Sequence, residues 1–223
     1  MLLRFARISL ISAGFALAPL ALATIAPQPV EAQAFSALRQ AIAEAAASDE
    51  SLVAFYRDRA FAPVWTDRDA ADRRNALVRA LEQAGNHGLP ADRYDVDGLR
   101  AAFRDATNPY LRGQADVMAS RLFLRYANDV HGGFLDPSEH VPDIFQDQPH
   151  RDPYALLAGF LESNPHEFIS RLPPRAAGYT RLMRMKFELE ALAASGGYGP
   201  TVPAETLRPG DSGELLGSRC PTS

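Results

Sequence analysis

The chain of 223 residues is 47% hydrophobic and 22% charged, the balance of an ordinary globular protein of one domain or a little more. Its net charge of −4 is mild and mixed along the chain, so the basic footprint of a nucleic-acid-binding protein is missing. Its single cysteine, Cys220, excludes an internal disulfide and any cysteine-based zinc cluster.

Residues 1–34 read as a secretory signal. Arg4 and Arg7 open it, Ile8 to Ile25 is apolar and uncharged, and small residues stand at Ala32 and Ala34. That pattern places cleavage after Ala34 or Ala32. The alternative is a retained anchor, with an apolar run at the lower edge of a spanning length and Pro19 inside it. In either case the rest of the chain is expected outside the cytoplasm, touching a membrane only through this segment.

Phe35 to Ala47 is alanine-rich and helix-prone, with Leu38, Ile42 and Ala45 on one face. Ser48 or Asp49 can cap a second helix, Ser51 to Arg59, whose inner face is Leu52, Phe55 and Tyr56. Pro63 keeps Phe61 to Trp65 extended. Thr66-Asp67 reads as the cap region of a helix over Arg74 to Gly85 that buries Leu77, Val78, Leu81 and Ala84. His87 to Tyr94 is a compact turn, and Gly98 to Ala106 a short helix with Leu99, Ala102 and Phe103 inward, capped by Asp97.

After Asn108-Pro109 comes the longest periodic stretch. Met118, Leu122, Tyr126 and Val130 recur at four-residue steps, with Ala115, Ala119 and Phe123 alongside. This predicts a central helix ended by Gly132-Gly133 and Asp136-Pro137. Arg121, Arg125, Asn128 and Asp129 fall on other sides of it. Ser138 to Pro149 is irregular. Asp152-Pro153 opens a helix facing inward with Tyr154, Leu157, Ala158 and Leu161. Asn164-Pro165 opens a short turn bearing Phe168 and Leu172, closed by Pro173-Pro174. Gly178 to Ser195 is the last long helix, with Leu182, Met185, Leu189 and Leu192 on one face. No stretch alternates as a strand would, so the fold class is all-α, an irregular multi-helix bundle.

Motifs with chemical meaning are scarce. None of His87, His131, His140, His150 and His166 pairs with another at helical ligand spacing, and His166-Glu167 lacks the second histidine of a zinc-protease helix, Ser170 standing there. Asp95-Val96-Asp97-Gly98 fails as a calcium loop because Arg93 and Arg104 fall where carboxylates are needed. Asp116, Asp129, Asp136, Glu139 and Asp143 could supply a carboxylate pair for a glycan hydrolase, but they sit where solvated faces and turns would place them. Phe55, Tyr56, Phe61 and Trp65 fit a packed core better than a sugar-stacking surface. No Gly-x-Ser-x-Gly elbow, Ser-x-x-Lys pair or phosphate loop is present. No catalytic, cofactor-binding or metal-binding residue is assigned.

Several segments together resemble a known family. They are Phe55-Tyr56-x-x-Arg59-x-Phe61-x-Pro63-x-Trp65, His87-Gly88-Leu89-Pro90-x-x-x-Tyr94, and Asp129-Val130-His131-Gly132-Gly133 with Asp136-Pro137. In this order they resemble the N-terminal scaffold domain of large periplasmic L,D-transpeptidases of the YcbB type. Pro173-Pro174 … Tyr179-x-x-Leu182 and Tyr198-Gly199-Pro200 … Leu207-Arg208-Pro209-Gly210-Asp211-Ser212-Gly213 fit the same domain. The resemblance implies a mostly helical scaffold. In the family a small peptidoglycan-binding domain follows, and then a catalytic domain with a cysteine in a Ser-His-Gly-Cys-x-Arg-like motif. That cysteine attacks the acyl-donor tetrapeptide, releases D-alanine and makes a 3→3 cross-link.

Here the pattern stops at about Glu214, and Gly217-Ser218-Arg219 precedes Cys220 in place of the family's histidine and glycine. No catalytic role is therefore carried onto Cys220. The expected organisation is a signal peptide over 1–34, a helical scaffold over 35–200, and a linker with a truncated start of the peptidoglycan-binding domain over 201–223. The expected function is the scaffold portion of a periplasmic transpeptidase-like cell-wall protein, inactive alone, with peptidoglycan or cell-wall enzymes as partners, no cofactor and no nucleic acid. The alternative is an independent periplasmic peptidoglycan- or partner-binding module, with a groove lined by Tyr56, Trp65 or Tyr94.

Overall fold

The computed structural model describes residues 30–135 and 151–198. Residues 1–29 of the expected signal, the stretch Ser138 to Pro149, the acids Asp136, Glu139 and Asp143, His140, His150 and Cys220 lie outside them. Among the described residues there are eight α-helices and no strand. They are α1 (Val30–Ala46), α2 (Glu50–Asp58), α3 (Ala71–Glu82), α4 (Val96–Asp105), α5 (Pro109–Gly132), α6 (Pro153–Glu162), α7 (Pro165–Ser170) and α8 (Ala177–Ala194). Among the described residues no helix is long and apolar enough to cross a membrane.

Local chemistry sets most helix starts. Asp49 caps α2 by accepting from the Leu52 N–H, Asn108 caps α5 through Leu111, Asp152 caps α6 through Tyr154 and Ala155, and Asn164 caps α7 through Glu167. Proline occupies the first position of α5, α6 and α7, where its missing N–H costs nothing. Two starts differ from the sequence reading. The cap of α4 is Asp95, which accepts from the Gly98 N–H, while Asp97 lies inside the helix with its carboxylate in water. A 3₁₀ turn at Arg68–Ala70, capped by Asp67, leads directly into α3, which starts three residues earlier than expected.

The long helix α5 is the centre of the bundle, with α1, α3, α4 and α6 packed on it. It is buried on nearly every side, from Ala115, Val117 and Ala119 to Phe123, Tyr126 and Val130. The tightest of these contacts is with α1, which turns Leu38, Ala41, Ile42 and Ala46 inward. Cleavage after Ala32 or Ala34 would leave every one of these residues in place.

Gly113 makes the α1–α5 approach possible. A Cβ there would stand 2.6 Å from the Ala41 Cβ, 2.8 Å from its carbonyl carbon and 2.9 Å from the Ile42 nitrogen. Alanine should favour the helix by about 1 kcal/mol, but overpacking against another helix's backbone costs about 1–3 kcal/mol. Because backbone cannot yield as a side-chain tip can, Gly113→Ala should lower stability by about 1–2 kcal/mol in urea unfolding. Unchanged or higher stability would show that α1 and α5 separate freely.

Two helices present different faces from those expected. In α6 the buried residues are Leu156, Leu157 and Phe160, while Tyr154 is 39% exposed and Ala158 and Leu161 are half-buried. Phe160 takes the inner position because it joins an aromatic group at the centre of the bundle, 4.6 Å from Phe123 and 5.2 Å from Trp65 between ring centroids. In α8 no residue is buried. Tyr179, Met183 and Lys186 form its half-buried side; of the expected stripe Leu192 is half-buried, while Leu182 is 67%, Met185 53% and Leu189 46% exposed.

Candidate functional site

Two buried carboxylates on α5 organise the rest of the molecule. Sequence reasoning placed both on solvated faces, and the structure overturns that: Asp116 is fully buried and Asp129 is 7% exposed. Asp116 accepts from the Val64 N–H (3.0 Å), the Trp65 N–H (2.9 Å), the Thr66 N–H and hydroxyl (2.8 Å each) and the Tyr56 hydroxyl (2.7 Å). It thus gathers the loop that follows α2. That loop leaves the helix through two consecutive left-handed non-glycine residues, Ala60 (φ 51°) and Phe61 (φ 55°), which cost roughly 1–2 kcal/mol each. From the outer side, Arg73 donates to the Val64 carbonyl, Arg74 to those of Trp65 and Asp67, and Arg112 to that of Thr66. Burial, and then the Asp116 charge, pushes the Tyr56 phenol well above its usual pKa, so its hydroxyl stays a donor.

The same geometry disposes of the aromatic groove. Tyr56 and Trp65 are fully buried, Tyr94 is 2% exposed and Phe55 2% exposed, so these rings are core and cannot face a glycan or peptide. Phe61 packs against the core half-buried.

Asp129 is the second anchor. It takes a two-point contact from Arg93, Nε to Oδ2 at 2.5 Å and Nη2 to Oδ1 at 3.1 Å, and the Tyr94 hydroxyl at 2.8 Å. Burial, and then the Asp129 contact, raises the Tyr94 phenol above its usual pKa. Both carboxylates are therefore fixed parts of the fold, each tied to side chains or backbone of a distant segment.

An accessible cleft of about 370 Å³ lies at the C-terminal end of α5. His87, Gly88 and Leu89 form one side; Asp129 to Leu135 form another, so that the second anchor borders the cleft; Pro174 and Tyr179 complete it. The sequence separates these three segments widely, and the fold brings them to one place. Gly88 (φ 76°) closes the 3₁₀ turn Ala84–His87 with its N–H on the Ala84 and Gly85 carbonyls, and Gly133 (φ 90°) ends α5. Both positions require the left-handed freedom of glycine. His87 Nδ1 lies 2.6 Å from the Tyr179 hydroxyl, with the rings nearly parallel, and His131 Nδ1 lies 3.1 Å from Arg151 Nη2. The Arg93 guanidinium sits 5.6 Å above the Phe134 ring. His87 also lines a neighbouring cleft of about 330 Å³ with His166 and Tyr126.

The described residues that line the cleft at the C-terminal end of α5 include no serine, threonine or cysteine, and among the described residues no group of three or more His, Cys, Asp or Glu is placed to hold a metal. The arrangement suits binding: imidazole and phenol edges for hydrogen bonds, with Leu89, Phe134 and Pro174 for apolar contact. Sequence reasoning singled out these segments by resemblance, but no local signal showed that they converge.

Burial, and then the Lys186 charge, lowers the His87 pKa from its usual 6.5. The folded value lies below the unfolded one, so the unfolded chain takes up the proton first as the pH falls. This contribution is complete above about pH 7 and is lost as the pH drops through and below about 6.5. The midpoint of thermal unfolding should therefore fall between pH 7.5 and 5.5 by more in the wild type than in His87→Gln. Equal slopes in the two proteins would remove His87 as the source.

No curated protein and no solved structure matches the chain. A family model described as "Scaffold domain" matches residues 50–185, from the first residue of α2 to the middle of α8, and so takes in Asp116, Asp129 and every residue that lines the cleft. By that match the chain belongs to the Scaffold domain family.

Proposed function

We propose that this fold is the scaffold portion of a peptidoglycan L,D-transpeptidase-like cell-wall protein, held in the periplasm, that binds peptidoglycan without transforming it. The observation that carries the proposal is where the resembling motifs fall. Tyr56 and Trp65 meet at the Asp116 anchor, Tyr94 meets Asp129, and His87, Gly88, His131, Gly133, Pro174 and Tyr179 surround one cleft. Residues that resemble a transpeptidase scaffold are thus the ones that fix this fold and shape its accessible surface. Cysteine acyl transfer needs a cysteine nucleophile, a base and oxyanion donors in one pocket, and the described residues that line the cleft include no cysteine. On this reading the described fold positions cell-wall material and leaves bond-making to other machinery.

The test uses the purified chain with sacculi and with disaccharide-tetrapeptide. Saturable retention on sacculi, without D-alanine release or cross-linked dimer, is the expected result. D-alanine release that survives Cys220→Ala, or no retention at any sacculus concentration, would overturn the proposal.

A further inference from the structure

On another side of the molecule, a cleft of about 390 Å³ is lined by Thr66, Asp67, Arg68, Arg74, Phe103 and Arg112, together with Ala106. Three guanidinium groups border it, in a protein whose net charge is −4. Among the described residues, none of the three has a carboxylate within ion-pair distance, whereas Arg93, Arg100, Arg104 and Arg171 each have one. The acid that lines the cleft, Asp67, is turned to the Arg68 N–H at 2.8 Å as the cap of its 3₁₀ turn.

Two of the three cations are held in place. Arg74 donates through Nη1 to the Trp65 carbonyl (2.7 Å) and stands 5.7 Å from the Phe103 ring centroid; Arg112 donates through Nη2 to the Thr66 carbonyl (2.8 Å). A guanidinium carries five N–H donors in a rigid fork, so each keeps donors free after making these contacts. The loop they hold is fixed from inside by Asp116. Arg68 is exposed and its side chain has no hydrogen-bond partner among the described residues. The result is a preorganised cationic cleft with one aromatic wall.

We propose that this cleft binds an oxyanion, a carboxylate or a phosphate, whose attached apolar arm lies against Phe103. Fork-shaped guanidinium donors match the two oxygens of such a group, and the fixed orientation of Arg74 and Arg112 reduces the ordering cost of binding. The site is separate from the cleft around His87 and does not depend on a role in the cell wall.

Inorganic phosphate and succinate are the probes, each titrated into the purified chain at constant ionic strength and followed by calorimetry and by amide NMR shifts. At least one should bind saturably, shifting the amides of Thr66 to Arg68 and of the Phe103 region. Arg68→Gln, whose parent side chain supports nothing in the fold, should weaken binding about ten-fold, as expected for one charge-assisted hydrogen bond. Arg112→Lys, which can still reach the Thr66 carbonyl but loses the fork, should weaken it similarly while leaving the thermal midpoint near wild type. Tighter phosphate binding would identify a phosphorylated ligand, and tighter succinate binding a carboxylate ligand. Saturation by neither probe, or an affinity that Arg68→Gln leaves unchanged, overturns the site.

Discussion

Asp116→Ala should destabilise the protein by about 4 kcal/mol or more, the largest effect of any single substitution considered for this fold. Its carboxylate serves three consecutive backbone N–H groups and two hydroxyls, all at the junction of α2, the following loop and α5. Alanine would strand these donors where water cannot readily reach them, and each buried donor left unpaired costs about 1–3 kcal/mol. The loop that leaves α2 through the left-handed Ala60 and Phe61 would also lose its anchor on α5. Asp116→Asn should be nearly as damaging, because its amide nitrogen would turn a donor toward donors. The shape is kept in that variant, so the comparison isolates hydrogen bonding from packing. Urea unfolding measures both; a loss below about 1 kcal/mol for alanine would mean that the loop is anchored without the carboxylate.

Why this anchor escaped sequence reasoning follows from the burial of α5. Periodicity picks out the stripe Met118, Leu122, Tyr126 and Val130, and a helix with one such stripe should have a polar side in water. Here neighbours cover the other sides too, so Asp116, Ser120, Phe123 and Ala127, spaced at four, three and four residues, form a second buried row. The partners of Asp116 lie some fifty positions earlier, and no local spacing announces a contact that only tertiary packing creates. By contrast, Asp49 was readable as a cap, and the prolines after Asn108, Asp152 and Asn164 marked a boundary at each of those places, because such signals are made within three residues. Asp95 and Asp97 show the limit of that rule: both are capping types, two residues apart, and the backbone decides which one turns to the Gly98 N–H. The all-helical class and the central place of α5 were readable from the pattern. The face of α8 was not, since an apolar stripe shows that a side could be buried, and only the surrounding fold determines whether it is.

The second large effect is expected at Trp65. Its ring is fully buried, stacked on Phe160 at 5.2 Å and tilted against Phe123 at 5.9 Å, and these rings in turn meet Phe168. Its Nε1–H donates to Ser120 Oγ at 2.8 Å, which lies 2.8 Å from the Tyr56 hydroxyl. Trp65→Ala removes the wall on which α5, α6 and α7 meet, and truncation of a buried tryptophan costs about 3–5 kcal/mol. Trp65→Phe keeps most of the apolar volume but leaves a smaller gap and deprives Ser120 of a donor, for an expected loss of about 1–2 kcal/mol. Combining Trp65→Phe with Ser120→Ala separates the two contributions. If the hydrogen bond matters, the double variant should lose less than the sum of the single losses, because the second change removes a group already left without one partner. Strict additivity would assign the whole loss to packing. A small loss for Trp65→Ala itself would mean that the aromatic group closes around the gap, in which case the Asp116 network alone would be what joins α2 and its loop to the central helix.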